Sequence, residues 1–212
     1  IAEAESSLYE PFRTKFSFQD NSRFDYWKRM EFSENHWIEL KKHCDDKNIE
    51  FMASPFSNAA VDILERLNVK RYKIGSGEVS NFLLLEKITK TKKPIILSSG
   101  MSSYYELDKV VKFLNQKKAN FSILQCTTSY PTKPEDWGLN IIQELKDRYN
   151  CEIGFSDHSG DIAACIAATA LGASILEFHA VFDKKAFGPD ATSSLTINQI
   201  KNVVSHIRNI NK

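Results

Sequence analysis

The stretch "IGFSDHS", residues 153–159, starts as a buried strand and then breaks pattern. Ile153 and Phe155 are apolar, and Ser156, Asp157 and His158 follow at once. "ILEFHAVFD" (175–183) repeats the form, with His179 behind Ile175 and Leu176. Adjacent strands of a parallel sheet lie about 4.8 Å apart, so histidines ending consecutive strands can reach one metal ion or one substrate oxygen. A lone histidine is more often an ordinary core or surface residue, and position alone leaves both readings open. His36, His43 and His206 sit in polar helical patterns and take the ordinary one.

Four further apolar runs precede this pair: "IEFMAS" (49–54), "KRYKIGS" (70–76), "KPIILSSG" (93–100) and "NFSILQCTT" (120–128). Their centres recur every ~21 to ~30 residues, which suits a strand, a helix and two short loops, repeated. Between them lie helical segments with start signals. Ser33 precedes "ENHWIELKKHC", Ser57 precedes "NAAVDILERL", and "SYYE" (103–106) and "TINQ" (196–199) read as capping boxes. "DIAACIAATALGA" (161–173) is rich in alanine and suited to close packing on a sheet.

Apolar strands alternating with helices imply an α/β fold with a parallel sheet covered on its faces. No GxGxxG or P-loop follows any strand, which counts against an open nucleotide-binding sheet. Polar residues instead close every strand: Ser54; Lys73, Ser76 and Glu78; Ser98 and Ser99; Thr127 and Thr128; Ser156 and His158; Glu177 and His179. In a (β/α)8 barrel of the TIM type these converge on one mouth. That architecture is expected, with about six βα units spanning 33–212 in one partial catalytic barrel (1–212). Residues 1–32 are expected to form a loop-and-helix lead-in.

Composition narrows the class. The chain has 212 residues, 42% hydrophobic and 26% charged, with a formal net charge of +1. That supports a sizeable core and gives no electrostatic case for nucleic acid. Cys44, Cys126, Cys151 and Cys165 form no CxxC pair, so a reducing cytoplasm is expected rather than a disulfide framework. No apolar run reaches the ~18 residues of a membrane span, and no signal peptide is visible.

Two glycine-serine turns look suited to an anion. "KIGSGE" (73–78) offers Lys73, Ser76 and Glu78 beside Gly75 and Gly77, and "LSSGM" (97–101) offers Ser98 and Ser99 beside Gly100. Each alone could be a plain strand-to-helix turn. "FGPDATSSL" (187–195) adds Asp190, which is either a turn aspartate or a carboxylate for sugar hydroxyls.

Taken together, "YKIGSGE", "PIILSSGM", "CTTSYPT", "GFSDHS", "LGASILEFH" and "GPD", in this order and spacing, resemble the sialic acid synthase family. The similarity runs from about Phe51 to about Leu195. It covers synthases of N-acetylneuraminate, legionaminate and pseudaminate, which condense phosphoenolpyruvate with an N-acylated amino sugar. The resemblance implies a (β/α)8 barrel followed by an antifreeze-like domain, in a homodimer. The first strand here matches the family's third, so the first two βα units and the C-terminal domain are expected to be lacking.

By the same resemblance, His158 and His179 look like the protein ligands of Mn²⁺ or Mg²⁺. Lys73, Ser76, Ser98 and Ser156, helped by Ser54, look like the phosphoenolpyruvate set. Glu78, Tyr130 and Asp190 look like the sugar set, with Glu78 either holding the sugar or moving protons. The implied role is cytoplasmic carbohydrate biosynthesis for capsule or lipopolysaccharide. Thr128 stands where many N-acetylneuraminate synthases carry asparagine. Phe178, Ala180 and Val181 replace the more usual residues of "KHFT", so the acceptor sugar is open.

Two other classes compete. A Schiff-base aldolase would use Lys73 as nucleophile, but leaves both histidines without a role. An inactive fragment would follow from six of eight strands, whose two unpaired edges favour association.

Overall fold

A computed structural model describes residues 7–12 and 19–212. The chain divides into two compact units, Ile1–Lys73 with Asn81–Pro94, and Ile74–Ser80 with Ile95–Lys212.

The first unit is mainly helical. Within the lead-in, α1 spans Arg23–Met30 and is capped by Ser22. Helix α2 (Glu34–Asp46) starts at Ser33, whose side chain accepts from His36 N. Helix α3 (Asn58–Arg66) starts at Ser57, which accepts from Ala60 N. Each cap satisfies a backbone N–H that the first helical turn leaves without a partner. Helix α4 (Phe82–Lys90) buries Leu84, Leu85 and Ile88. The expected strand at 49–54 does not form. Its trace is one long backbone hydrogen bond, from Lys73 N to Ala53 O at 3.4 Å.

The second unit holds most of the sheet, and the first strand, Tyr72–Ile74, straddles the boundary between the units. Strand β1 (Tyr72–Ile74) leads into β2 (Ile95–Ser98), β3 (Phe121–Cys126), β4 (Glu152–Asp157), β5 (Leu176–Val181) and β6 (Ser194–Thr196). Spatial order equals chain order, and the pairings from β2 to β6 are all parallel. A doubly wound sheet reverses order at a switch point; this sheet adds each strand on the same side, as a barrel does. The fold is therefore α/β of the TIM-barrel type with six strands, although the sixth is Ser194–Thr196 rather than 49–54.

Helices α5 (Tyr104–Gln116), α6 (Ile141–Arg148), α7 (Ile162–Ala170) and α8 (Ile197–Ile210) alternate with these strands. Both expected capping boxes form, at Ser103 with Glu106 and at Thr196 with Gln199. The small side chains of α7 bury Ala164, Cys165 and Ala168. Phe178 of β5 packs with Cys165, Leu195 and Val203 beneath α7 and α8.

Register then sorts the strand ends. Cys126 pairs with Ser156, Ser156 with Glu177, and Asp157 with Phe178. Paired residues share a face and neighbours along a strand alternate. Phe178 and Asp157 thus face the helices, while Cys126, Ser156 and Glu177 face the other way. His158 and His179 continue that second row one step higher.

Candidate active site

The two histidines meet. Their ring centroids are 5.2 Å apart, and the ring of Tyr130, from the turn after β3, lies 4.2 Å from His158 and 5.8 Å from His179. Tyr130 precedes Pro131 through a cis peptide bond. His158 Nδ1 lies 3.0 Å from the Thr127 carbonyl, an acceptor, so that nitrogen carries a proton. In the neutral ring Nε2 then holds the lone pair, and it accepts from the Tyr130 hydroxyl at 3.1 Å. Burial pushes the Tyr130 phenol up to about 12, which keeps it a donor.

Electrostatics differ between the imidazoles. Burial disfavours the charged form of His158, but the Cys126 sulfur and the Thr127 carbonyl outweigh it and raise its pKa. Burial lowers that of His179, helped by His158 and opposed by Asp190, whose Oδ2 lies 3.8 Å from Nδ1. For Cys126 burial opposes ionisation, yet hydrogen bonds with His158 and Ser76 hold the thiol below its ordinary value.

Beneath the histidines, Ser156 Oγ donates to Glu177 Oε2 at 2.6 Å, and Ser98 Oγ to the same oxygen at 3.4 Å. Ser76 Oγ lies 3.5 Å from Cys126 Sγ. Gly100 lets these groups close up. A Cβ there would stand 2.6 Å from both Ser76 Oγ and Thr128 Oγ1, and 3.0 Å from Cys126 Sγ.

Of the residues singled out in the sequence, Ser98, Tyr130, Ser156, His158, His179 and Asp190 are linked in this array, with Ser76 joined through Cys126. Glu78 closes the short 3-10 turn Ser76–Glu78 and is half-buried. Ser54 and Lys73 belong to the first unit. There Ser54 lines an apolar hollow with Phe32, Trp37 and Leu64, and Lys73 is 7% exposed. Sequence reasoning gave no role to Cys126 or Glu177. Glu177 carried a signal, as an acidic residue two before a strand-end histidine, whereas the Thr127 carbonyl is backbone and carried none.

The NeuB family profile matches residues 3–212. The chain belongs to the NeuB family. It is 37% identical over 205 residues to the N,N'-diacetyllegionaminic acid synthase of Campylobacter jejuni, covering 95% of this chain and 61% of that protein. To the human N-acetylneuraminate-9-phosphate synthase it is 36% identical over 203 residues, 95% of this chain and 56% of that one. The crystal structure of an N-acetylneuraminic acid synthetase from Leptospira borgpetersenii superposes with a TM-score of 0.86 at 32% identity, over 99% of this chain and 74% of that one. This NeuB chain thus spans about three-fifths of the length of the curated relatives it matches.

The donor set of this NeuB chain fits a divalent cation. His158 has its Nδ1 proton committed to a carbonyl, as a ligating histidine requires of its far nitrogen, and His179 stands beside it. Among the described residues, no three His, Cys, Asp or Glu side chains cluster closely enough to hold a metal together. The two imidazoles would leave the remaining positions to oxygen donors from water or substrate. Mixed nitrogen and oxygen ligation suits Mn²⁺, and an oxygen-rich remainder suits Mg²⁺.

Proposed function

We propose that this NeuB protein condenses phosphoenolpyruvate with an N-acylated amino sugar of the N-acetylmannosamine type, giving a nonulosonic acid and phosphate. The observation that carries the reading is the two-histidine array with Tyr130 and Asp190 above Ser98, Ser156 and Glu177, in a chain of this family. Phosphoenolpyruvate is a multiply charged anion, so cation and hydroxyl donors must replace its water. Ser76, Ser98 and Ser156 supply hydroxyls, and the sequence motifs assign the cation to Lys73 and a helping hydroxyl to Ser54. On binding, Ser98 and Ser156 turn their protons from Glu177 to the anion.

Tyr130, Asp190 and Glu78 hold the acceptor sugar. Asp190 accepts from sugar hydroxyls, and the high pKa of Tyr130 keeps its proton available for donation. His158 and His179 hold Mn²⁺ or Mg²⁺, which when bound supplies a Lewis acid for the sugar's aldehyde oxygen. No helix among the described residues is long and apolar enough to cross a membrane. We take the whole protein to be a cytoplasmic homodimer in carbohydrate biosynthesis for capsule or lipopolysaccharide.

The test is phosphate release by the protein at its natural full length, with phosphoenolpyruvate, Mn²⁺ and a panel of N-acylated sugars that includes legionaminate and pseudaminate precursors. Release should require both substrates and the metal, and product mass would name the acid. EDTA-resistant turnover with borohydride trapping on Lys73 would replace this reading with a Schiff-base aldolase.

A further inference from the structure

The loop joining β5 to β6 carries Asp190, and its tip has little anchorage of its own. Phe182 and Phe187 are 92% and 72% exposed. Lys184 is half-buried instead, and its Nζ donates to the Gly160 carbonyl at 2.6 Å. Gly160 lies in the turn after His158 with φ +67°, a left-handed conformation that favours glycine. A Cβ there would stand 2.6 Å from the Thr192 carbonyl, so the two turns touch backbone to backbone. The loop is thereby pinned on both sides of Asp190, at Lys184 and at Thr192. Nearer still, Ser193 N and Ser194 Oγ both donate to the Asp190 carbonyl, at 3.0 and 2.7 Å.

We propose that Lys184 is a positioning residue for the acceptor sugar: its clasp on the Gly160 carbonyl holds the 182–193 loop so that Asp190 faces His179. This rests on the reading of Asp190 as a sugar ligand. The clasp is a charge-assisted hydrogen bond from a half-buried ammonium, which ranks among the stronger polar contacts. Methionine at this position keeps the apolar stem and removes the donor. Arginine keeps a donor of the same charge.

The experiment compares Lys184→Met and Lys184→Arg with the parent in the full-length protein, using steady-state kinetics and amide exchange at Ala191 and Ser193. Lys184→Met should raise the sugar KM about tenfold and leave the phosphoenolpyruvate KM within about twofold. Exchange at the two amides should quicken about tenfold with the melting temperature unchanged, and Lys184→Arg should recover most of both effects.

An unchanged sugar KM with unchanged exchange overturns the proposal. So does a rise in both KM values with a lower melting temperature, which marks general destabilisation. If the parent condenses no sugar, the proposed function fails by itself and exchange decides the clasp. Faster exchange confined to the loop upholds it, and unchanged exchange removes it.

Discussion

The hydroxyl of Tyr130 lies 3.1 Å from His158 Nε2, while Nδ1 of the same ring faces the Thr127 carbonyl at 3.0 Å. One short turn therefore fixes both nitrogens of one imidazole. Tyr130→Phe removes the hydroxyl and leaves the Nδ1 contact. Losing one neutral hydrogen bond costs about 1 kcal/mol. We expect a fivefold or so rise in sugar KM, with Mn²⁺ affinity equal to or above that of the parent. A tenfold or greater loss of Mn²⁺ affinity would show that the phenol supports the metal.

The histidine pair gives a sharper test. His158→Ala and His179→Ala should each lower Mn²⁺ affinity at least tenfold, the scale on which even supporting groups of metal sites act. Electron paramagnetic resonance titration of free Mn²⁺ reads this without an activity assay. Full affinity in both variants would remove the ligand assignment.

Two glycines separate site from scaffold. A Cβ on Gly154 would run into the Ile175 carbonyl and Leu124 Cδ2 in the sheet's packed interior. Backbone cannot yield there, so Gly154→Ala should lower stability by about 3 kcal/mol, at the upper end for overpacking, and calorimetry should show it. Gly100→Ala meets side-chain tips instead, at Ser76, Thr128 and Cys126. Those can rotate away, so its melting point should move little while the KM for phosphoenolpyruvate climbs.

Acid stability tests the helical layer. Arg148 on α6 forks onto Asp108 of α5, and the neighbouring Tyr149 hydroxyl donates to the same carboxylate at 2.9 Å. Hydrogen bonds from Arg148 and then Tyr149 hold Asp108 below its ordinary pKa. A depressed carboxylate pKa contributes stability above the unfolded value of about 4 and loses it as pH falls through the folded value. Asp108→Asn should therefore melt below the parent at neutral pH, and the gap should close on acidification. A gap independent of pH would mean that the contact is not electrostatic.

The helix starts were open to reading because each rests on one polar side chain at a fixed offset from an apolar run, as at Ser33, Ser57, Ser103 and Thr196. Strand existence was harder. Residues 49–54 have the composition of a strand, but a strand is made by a neighbour's ladder, and among the described residues Ala53 alone of this run accepts a bond from β1. Conversely Ser194–Thr196 has a single apolar residue, Leu195, too short a run to read, and becomes a strand because β5 pairs with it. In the site, the strand-end histidines were visible as polar interruptions of apolar runs. The acceptor that orients His158 was not, since every residue carries a carbonyl.

Because each strand lies beside its sequence neighbour, Ser122 meets Glu152 and His179 meets Ser194 without long excursions of chain. Loop-closure entropy is correspondingly smaller than in a parallel sheet whose neighbouring strands are far apart in sequence. During synthesis, β4 with His158 can dock on β3 before β5 brings His179 and Glu177. The hydroxyl-bearing floor at Ser98 would be laid first and the Asp190 loop closed last, so the order of translation is also the order in which the pocket acquires its walls.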